Sequence, residues 1–205
     1  MSRKQETKDF WLAALRTDGP AFHEAASRPG VLAAEVPSCP GWTGEHLVRH
    51  LGSVYAWVRS HASRGVTSEP DDRFRLAEVP AGSTVLSWWA DEFSAVVAML
   101  DALDPEMPAW NWAPQAKTAI FWHRRMAHET SVHRWDAQMA AGRAEPIEAK
   151  LAADGVAEVL DTWLPGGRRK GPADRAGVAQ LSATDAEQDW YVRLRADGGI
   201  ALLDT

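Results

Sequence analysis

Apolar residues recur at helical spacing in four stretches of the first 145 positions, separated by breaker-rich loops. Thr7 or Asp9 can open a first helix with Phe10, Trp11, Ala14 and Leu15 on one side, and the pattern fades before Pro29-Gly30. Two prolines and a glycine in Val36-Pro37-Ser38-Cys39-Pro40-Gly41-Trp42 exclude a helix there. Thr43 then serves as the expected N-cap of a second helix, in which Leu47, Leu51, Val54 and Val58 keep helical spacing until Arg64-Gly65. Residues 66–82 are polar and read as a loop. Ser83 is the expected cap of a third helix, with a broad apolar face from Val85 to Leu100. After the Pro105–Pro114 stretch, a fourth helix is expected from about Thr118 to Ala141, with Gly142 as its stop. Four helices joined by loops predict a bundle.

The pattern changes after Pro146. A shorter helix is expected from Ile147 to Trp163, then a basic linker, Pro165-Gly-Gly-Arg-Arg-Lys-Gly-Pro172. Trp190, Val192 and Leu194 alternate with Asp189, Tyr191, Arg193 and Arg195, the period of a half-buried strand. Asp197-Gly198-Gly199 supplies a hairpin turn and Ile200–Leu203 a return strand. The expected fold is therefore mainly α: a bundle over 1–145, then a short α+β region with an antiparallel sheet over 146–205. So few strands are marginal alone, so the sheet is expected to lean on the bundle, on a partner or on a longer domain.

Composition narrows the function. Twenty-two Lys+Arg against 28 Asp+Glu leave a net charge of −6, which argues against a nucleic-acid binder. One cysteine, Cys39, excludes an internal disulfide and a multi-cysteine zinc ribbon. The N-terminus lacks the apolar segment of a signal peptide and no apolar run is long enough to span a bilayer, so a cytoplasmic protein is expected. Eleven tryptophans predict either a core stapled by indoles or an aromatic-lined cleft.

The fourth helix carries the chemistry: Trp122-His-Arg-Arg125-Met-Ala-His128-Glu129-Thr-Ser-Val-His133-Arg-Trp-Asp136. His128 and His133 are five apart and point about 140° away from each other, so this is not the zinc-protease motif of two histidines four apart. Glu129 and His133 do share a face, at i and i+4. The second helix offers His46 and His50, again four apart. Two histidines and a carboxylate suit zinc with an open position, or non-haem iron. Spacing alone leaves the metal and the second-helix histidine open.

The segment Val36-Pro-Ser-Cys-Pro-Gly-Trp-Thr-Gly-Glu-His-Leu-Val-Arg-His50-Leu51, followed by Arg125-Met-Ala-His-Glu129-Thr-Ser-Val-His133-Arg-Trp-Asp136, resembles the mycothiol-dependent maleylpyruvate isomerase family of DinB-like four-helix bundles. The resemblance covers about residues 8–145. It implies zinc, or another divalent metal, at His50, Glu129 and His133, selecting His50 over His46. It also implies mycothiol as thiol cofactor; separately, the Ala-, Arg- and Trp-rich composition suggests a GC-rich genome, which fits an actinobacterial source. The segments Gly155–Glu158, Leu181–Asp185 and Trp190–Leu194 resemble the opening of the family's C-terminal α+β domain.

A thiol at such a metal loses its proton to give a ready nucleophile. Addition to the cis double bond of maleylpyruvate, rotation and expulsion would give fumarylpyruvate; conjugation to another electrophile is the related S-transferase chemistry. The expected partners are thus a small thiol and a small anionic or electrophilic substrate, in a monomer or homodimer. A non-catalytic metal-binding module and a metal-dependent hydrolase are the alternatives.

Asp136, one turn past His133, can orient a ligand imidazole through its other N–H or pair with Arg134 or Arg49. Arg125 can bind an anionic substrate or pair with Glu129. His46 and His128 read as structural, and His23, His61 and His123 as solvated. Cys39 reads as a small buried hydrophobe rather than a nucleophile, and Trp88 and Trp89 as core. Trp42, Trp57, Trp110, Trp112 and Trp122 lie in or near the metal-bearing elements, with Trp57 and Trp122 the expected pocket walls.

Overall fold

A computed structural model describes residues 6–166, 176–185 and 188–203. Residues 167–172 of the expected basic linker lie outside that set. The helices are α1 (Lys8–Ala26), α2 (Gly44–His61), α3 (Val85–Ala102), α4 (Ile120–Ala140) and α5 (Ala149–Glu158). The strands are β1 (Gly177–Ala183), β2 (Gln188–Leu194) and β3 (Ile200–Leu203). The chain divides into two units. Among the described residues, no helix is long and apolar enough to cross a membrane.

The larger unit, residues 7–111 and 117–147, is the four-helix bundle. In it α1 packs on α4 and α3, and α2 packs on α3 and α4. Three threonine caps start its helices. Thr7 accepts the Phe10 N–H. Thr43 and His46 form a capping box, as do Thr84 and Ser87. Thr84, not Ser83, is therefore the cap of α3. That helix has no basic residue in its last turn. Lys8 of α1 supplies the charge instead, donating to the carbonyls of Asp101 (2.5 Å) and Leu103 (2.9 Å). Two glycines permit close approaches: a Cβ on Gly19 would lie 2.1 Å from the Phe93 ring, and one on Gly44 2.2 Å from the Val31 carbonyl oxygen.

Trp11, Leu15, Phe22, Leu47, Leu51, Tyr55, Trp89, Leu100, Trp122 and Met126 are essentially fully buried at the centre of this unit. Trp88 and Trp89 are both core, as their adjacency predicts. Helix α4 differs from the others. It buries polar and charged residues on nearly every side, among them His123, Arg125, His128, Thr130, Arg134, Asp136 and Gln138. A helix enclosed all round with polar side chains must pair each of them.

Two of the histidines expected to be solvated are buried, each at 1% exposure. His61 donates from Nδ1 to the Trp57 carbonyl (2.7 Å) and sits among the rings of Trp57, Trp110 and Trp122. The ring nitrogens of His123 lie 2.8 Å from the carbonyl oxygens of Ala119 and Leu100. His23 is half-buried and stacks on Trp89. The cause is common to His61 and His123: an isolated imidazole has no apolar periodicity, yet it fills a core position once a carbonyl or an aromatic face receives it. Trp57 and Trp122 thus enclose His61.

Burial pushes His61 down to about 4. The unfolded chain takes up that proton first, so the stability His61 contributes is complete above pH 6.5 and is lost as pH falls towards 4. We expect a loss of about 2 kcal/mol by pH 4.5 relative to His61→Leu, read from urea unfolding of both proteins. Parallel stability curves for the two would refute this assignment.

The smaller unit holds residues 112–116 and the described part of 148–203, together with Glu6. Glu148 caps α5 through the N–H groups of Lys150 and Leu151. The helical path continues through a wider turn, Val159–Trp163, and a last turn, Leu164–Gly166. The antiparallel sheet runs in the order β1-β2-β3, with Trp190 opposite Leu181 and Val192 opposite both Ala179 and Leu202. The alternation read from the sequence holds: Trp190 and Val192 are buried against Ala157 and Leu160, while Asp189 and Arg193 are exposed. Gly198, at φ 80°, makes the expected turn between β2 and β3. Trp112 belongs to this unit, its ring 5.4 Å from that of Trp163.

Candidate metal centre

One turn of α2 and two turns of α4 bring together the three predicted ligands. Glu129 and His133 follow each other on one face of α4, as i,i+4 spacing requires. His50 meets them from α2, the neighbouring helix. Its Nε2 lies 3.2 Å from Glu129 Oε1, and His133 Nε2 lies 3.3 Å from the same oxygen. The three donor atoms are all within 4.8 Å of one another. The two imidazoles stand edge to face with centroids 5.1 Å apart. All three side chains keep 13–20% of their surface exposed, so the cluster is enclosed but reachable.

Two of the three candidate ligands, His133 and Glu129, are held from behind. Asp136 Oδ2 accepts from His133 Nδ1 at 2.8 Å. That bond assigns the proton to Nδ1 and leaves Nε2 to face the cluster. Ser38, in the loop before α2, donates to Asp136 Oδ1 at 2.5 Å, and the Cys39 thiol lies 3.8 Å from Oδ2. Arg125 NH2 donates to Glu129 Oε2 at 2.7 Å, which leaves Oε1 turned to the histidines. Arg125 thus takes up the pairing with Glu129 that the sequence had offered as one of two roles. Asp136 pairs with neither Arg134 nor Arg49. Arg134 faces Asp18 (3.2 Å), and Arg49 donates to the Ala77 carbonyl (2.8 Å).

The electrostatics follow from this arrangement. Burial alone would raise the Glu129 carboxyl, but hydrogen bonds from His133 and His50 and the charge of Arg125 outweigh it and hold the group well below its ordinary range. Burial alone would lower His133, but Asp136 and Glu129 outweigh it and raise the imidazole to about 9. Burial and the Asp136 carboxylate push the Cys39 thiol up.

The remaining histidines separate cleanly. His46 is exposed and its Nδ1 accepts the Thr43 N–H at 3.1 Å in the capping box, so His50 is the α2 histidine that lies in the cluster. His128 is buried against Trp11 of α1. Around His50 stand two further rings, Trp42 at 4.9 Å and Phe74 at 5.8 Å. Trp42 lies in the loop-to-helix segment singled out above. Phe74 lies in the stretch read only as a polar loop; its one signal is that it is the apolar residue in Asp71-Asp72-Arg73-Phe74-Arg75.

A four-helix bundle with a His–Glu–His cluster bridging two of its helices defines the class: helical bundles built around a candidate metal centre. More narrowly, the family profile described as the mycothiol maleylpyruvate isomerase N-terminal domain matches residues 12–138. The chain belongs to that family. No curated protein and no solved structure matches it significantly.

Proposed function

We propose that the protein is a divalent-metal enzyme, zinc being the first candidate, that uses mycothiol for cis–trans isomerisation of maleylpyruvate or for transfer of the thiol to a related electrophile. The carrying observation is the convergence of His50, Glu129 and His133 donor atoms within 4.8 Å, with His133 already oriented by Asp136. This donor set fits a cation: one carboxylate oxygen, two imidazole nitrogens, and a partner behind two of the three side chains. When bound, the cation supplies positive charge that favours the ionised form of a thiol at neutral pH.

The chain's own residues have definable tasks. Asp136 keeps the Nε2 lone pair of His133 directed inward. Arg125 holds Glu129 by one oxygen, so the other is presented. Cys39 stays a protonated thiol beside Asp136, so the nucleophilic sulfur comes from a small molecule rather than from the protein. In the isomerisation, that sulfur forms a C–S bond at one alkene carbon while the π electrons move into the adjacent conjugated carbonyl. The resulting single bond rotates. Return of the electrons expels the same sulfur and restores the double bond in trans form, so the thiol is neither consumed nor oxidised.

Zinc-loaded protein should gain thermal stability when mycothiol is added: at a hundredfold excess over Kd, mass action contributes about 2.7 kcal/mol. The same preparation should convert maleylpyruvate to fumarylpyruvate only with the thiol present. A zinc-containing sample with no shift and no thiol-dependent turnover would replace this reading with a metal-binding module or a hydrolase.

A further inference from the structure

The connection between α2 and α3 is docked along one stripe of α2. Arg49, Ser53 and Trp57 lie at i, i+4 and i+8 and so share a face. The Trp57 indole N–H donates to the Asp72 carbonyl (3.1 Å). Arg49 Nε donates to the Ala77 carbonyl (2.8 Å), and the Ala77 N–H donates to Ser53 Oγ (2.9 Å). Ser53 in turn donates to the Arg49 carbonyl (2.6 Å). The strap is therefore fixed at residues 72 and 77, on either side of Phe74.

Between those anchors the charged run turns its single aromatic side chain onto the helix. The Phe74 ring meets His50 edge-on at 5.8 Å and Trp57 edge-on at 5.9 Å. It nevertheless stays 38% exposed. It touches a candidate ligand and leaves apolar ring surface open beside it. Trp42 contacts the same imidazole from the segment before α2. His50 thus carries two aromatic neighbours, from the two loops that flank its helix.

We propose that Phe74 is a specificity-determining wall of the metal centre, selecting molecules that carry a flat conjugated or aryl group next to the metal-directed atom. Edge-to-face and offset stacking reward such a group over an aliphatic one of similar size. The proposal rests on the metal-and-thiol reading above, and its test separates the two.

The protein is loaded with Co²⁺, and thiophenol and 2-mercaptoethanol are titrated separately while the sulfur-to-cobalt charge-transfer absorption is followed. Differences in the intrinsic acidity of the two thiols cancel when the ratio of their affinities is compared between proteins. The preference for thiophenol should fall about three- to tenfold in Phe74→Ala and in Phe74→Leu, which keeps bulk without a ring, and should survive in Phe74→Tyr. Cobalt affinity should stay within about twofold in all three, since no ligand is removed. An unchanged ratio in Phe74→Ala and Phe74→Leu overturns the role of Phe74 and leaves the metal-and-thiol reading standing. Absence of the charge-transfer band with either thiol in the wild type overturns both.

Discussion

Replacing His133 with alanine is expected to strip the protein of zinc, which the wild type should hold at close to one ion per chain. Apparent binding energies of structural zinc, about 10–16 kcal/mol shared among four ligands, assign roughly 3 kcal/mol to each, so Kd should weaken about a hundredfold or more. His50→Ala should behave alike. His46→Ala should leave zinc affinity intact and lose only the reciprocal half of the α2 capping box, the bond from the Thr43 N–H, about 0.5–1 kcal/mol of stability. Asp136→Asn keeps an acceptor for His133 Nδ1 but not its charge, and should weaken zinc by about 10–100-fold. The pH dependence has a definite sign. Without metal, His133 retains its second proton up to about pH 9. Zinc requires the Nε2 lone pair, so binding expels that proton and the apparent affinity rises about tenfold per pH unit until about pH 9. In Asp136→Asn the plateau should begin nearer neutrality. Chelator competition at several pH values measures all of this; equal zinc content in wild type and His133→Ala would remove the site altogether.

The ligand pair on α4 was legible because i,i+4 geometry is a property of spacing alone, and Thr43 because a capping threonine before an amphipathic run has a local cause. His50 needed either the family resemblance or the capping box that occupies His46, which is a side-chain contact and leaves no periodic trace. The strand period around Trp190 and Val192 was readable for the same reason as the helices: one face is buried and the other is not. Phe74 was not readable, since its placement depends on three α2 side chains that seize backbone groups of a polar loop. The burial of His61 and His123 was hidden likewise. Their partners are carbonyls and indoles supplied by the fold, and α4, enclosed on almost every side, shows no clean apolar stripe. The tryptophan excess therefore divides among core residues such as Trp11, Trp89 and Trp190, the group around His61, Trp42 beside His50, and the exposed pair Trp112 and Trp163 of the smaller unit.

Arg134→Ala is expected to cost about 3–5 kcal/mol of stability, a fall of roughly 10 °C or more in Tm for a chain of this size. Arg134 is 4% exposed and its guanidinium joins three parts of the bundle. Its Nε lies 3.2 Å from Asp18 of α1, NH1 donates to Gln138 (2.8 Å) and to the Glu145 carbonyl (2.9 Å), and NH2 donates to the Pro146 carbonyl (3.3 Å). Gln138 Oε1 also accepts the Glu145 N–H at 3.0 Å, so the segment after α4 is fixed by the same network. Truncation leaves the Asp18 carboxylate buried without its cation and two carbonyls without a donor; the desolvation cost, more than the lost attraction, sets the size of the effect. Arg134→Lys should recover little, because one ammonium cannot span the same fork of acceptors. The double variant Asp18→Asn/Arg134→Met should regain a large part, since it removes the stranded charge as well as the pair. Zinc affinity should change far less than stability, because Arg134 points to α1 while His133 points to α2. A loss below 1 kcal/mol in urea unfolding of Arg134→Ala would mean that water reaches Asp18 readily and that this network does not hold α1 to α4.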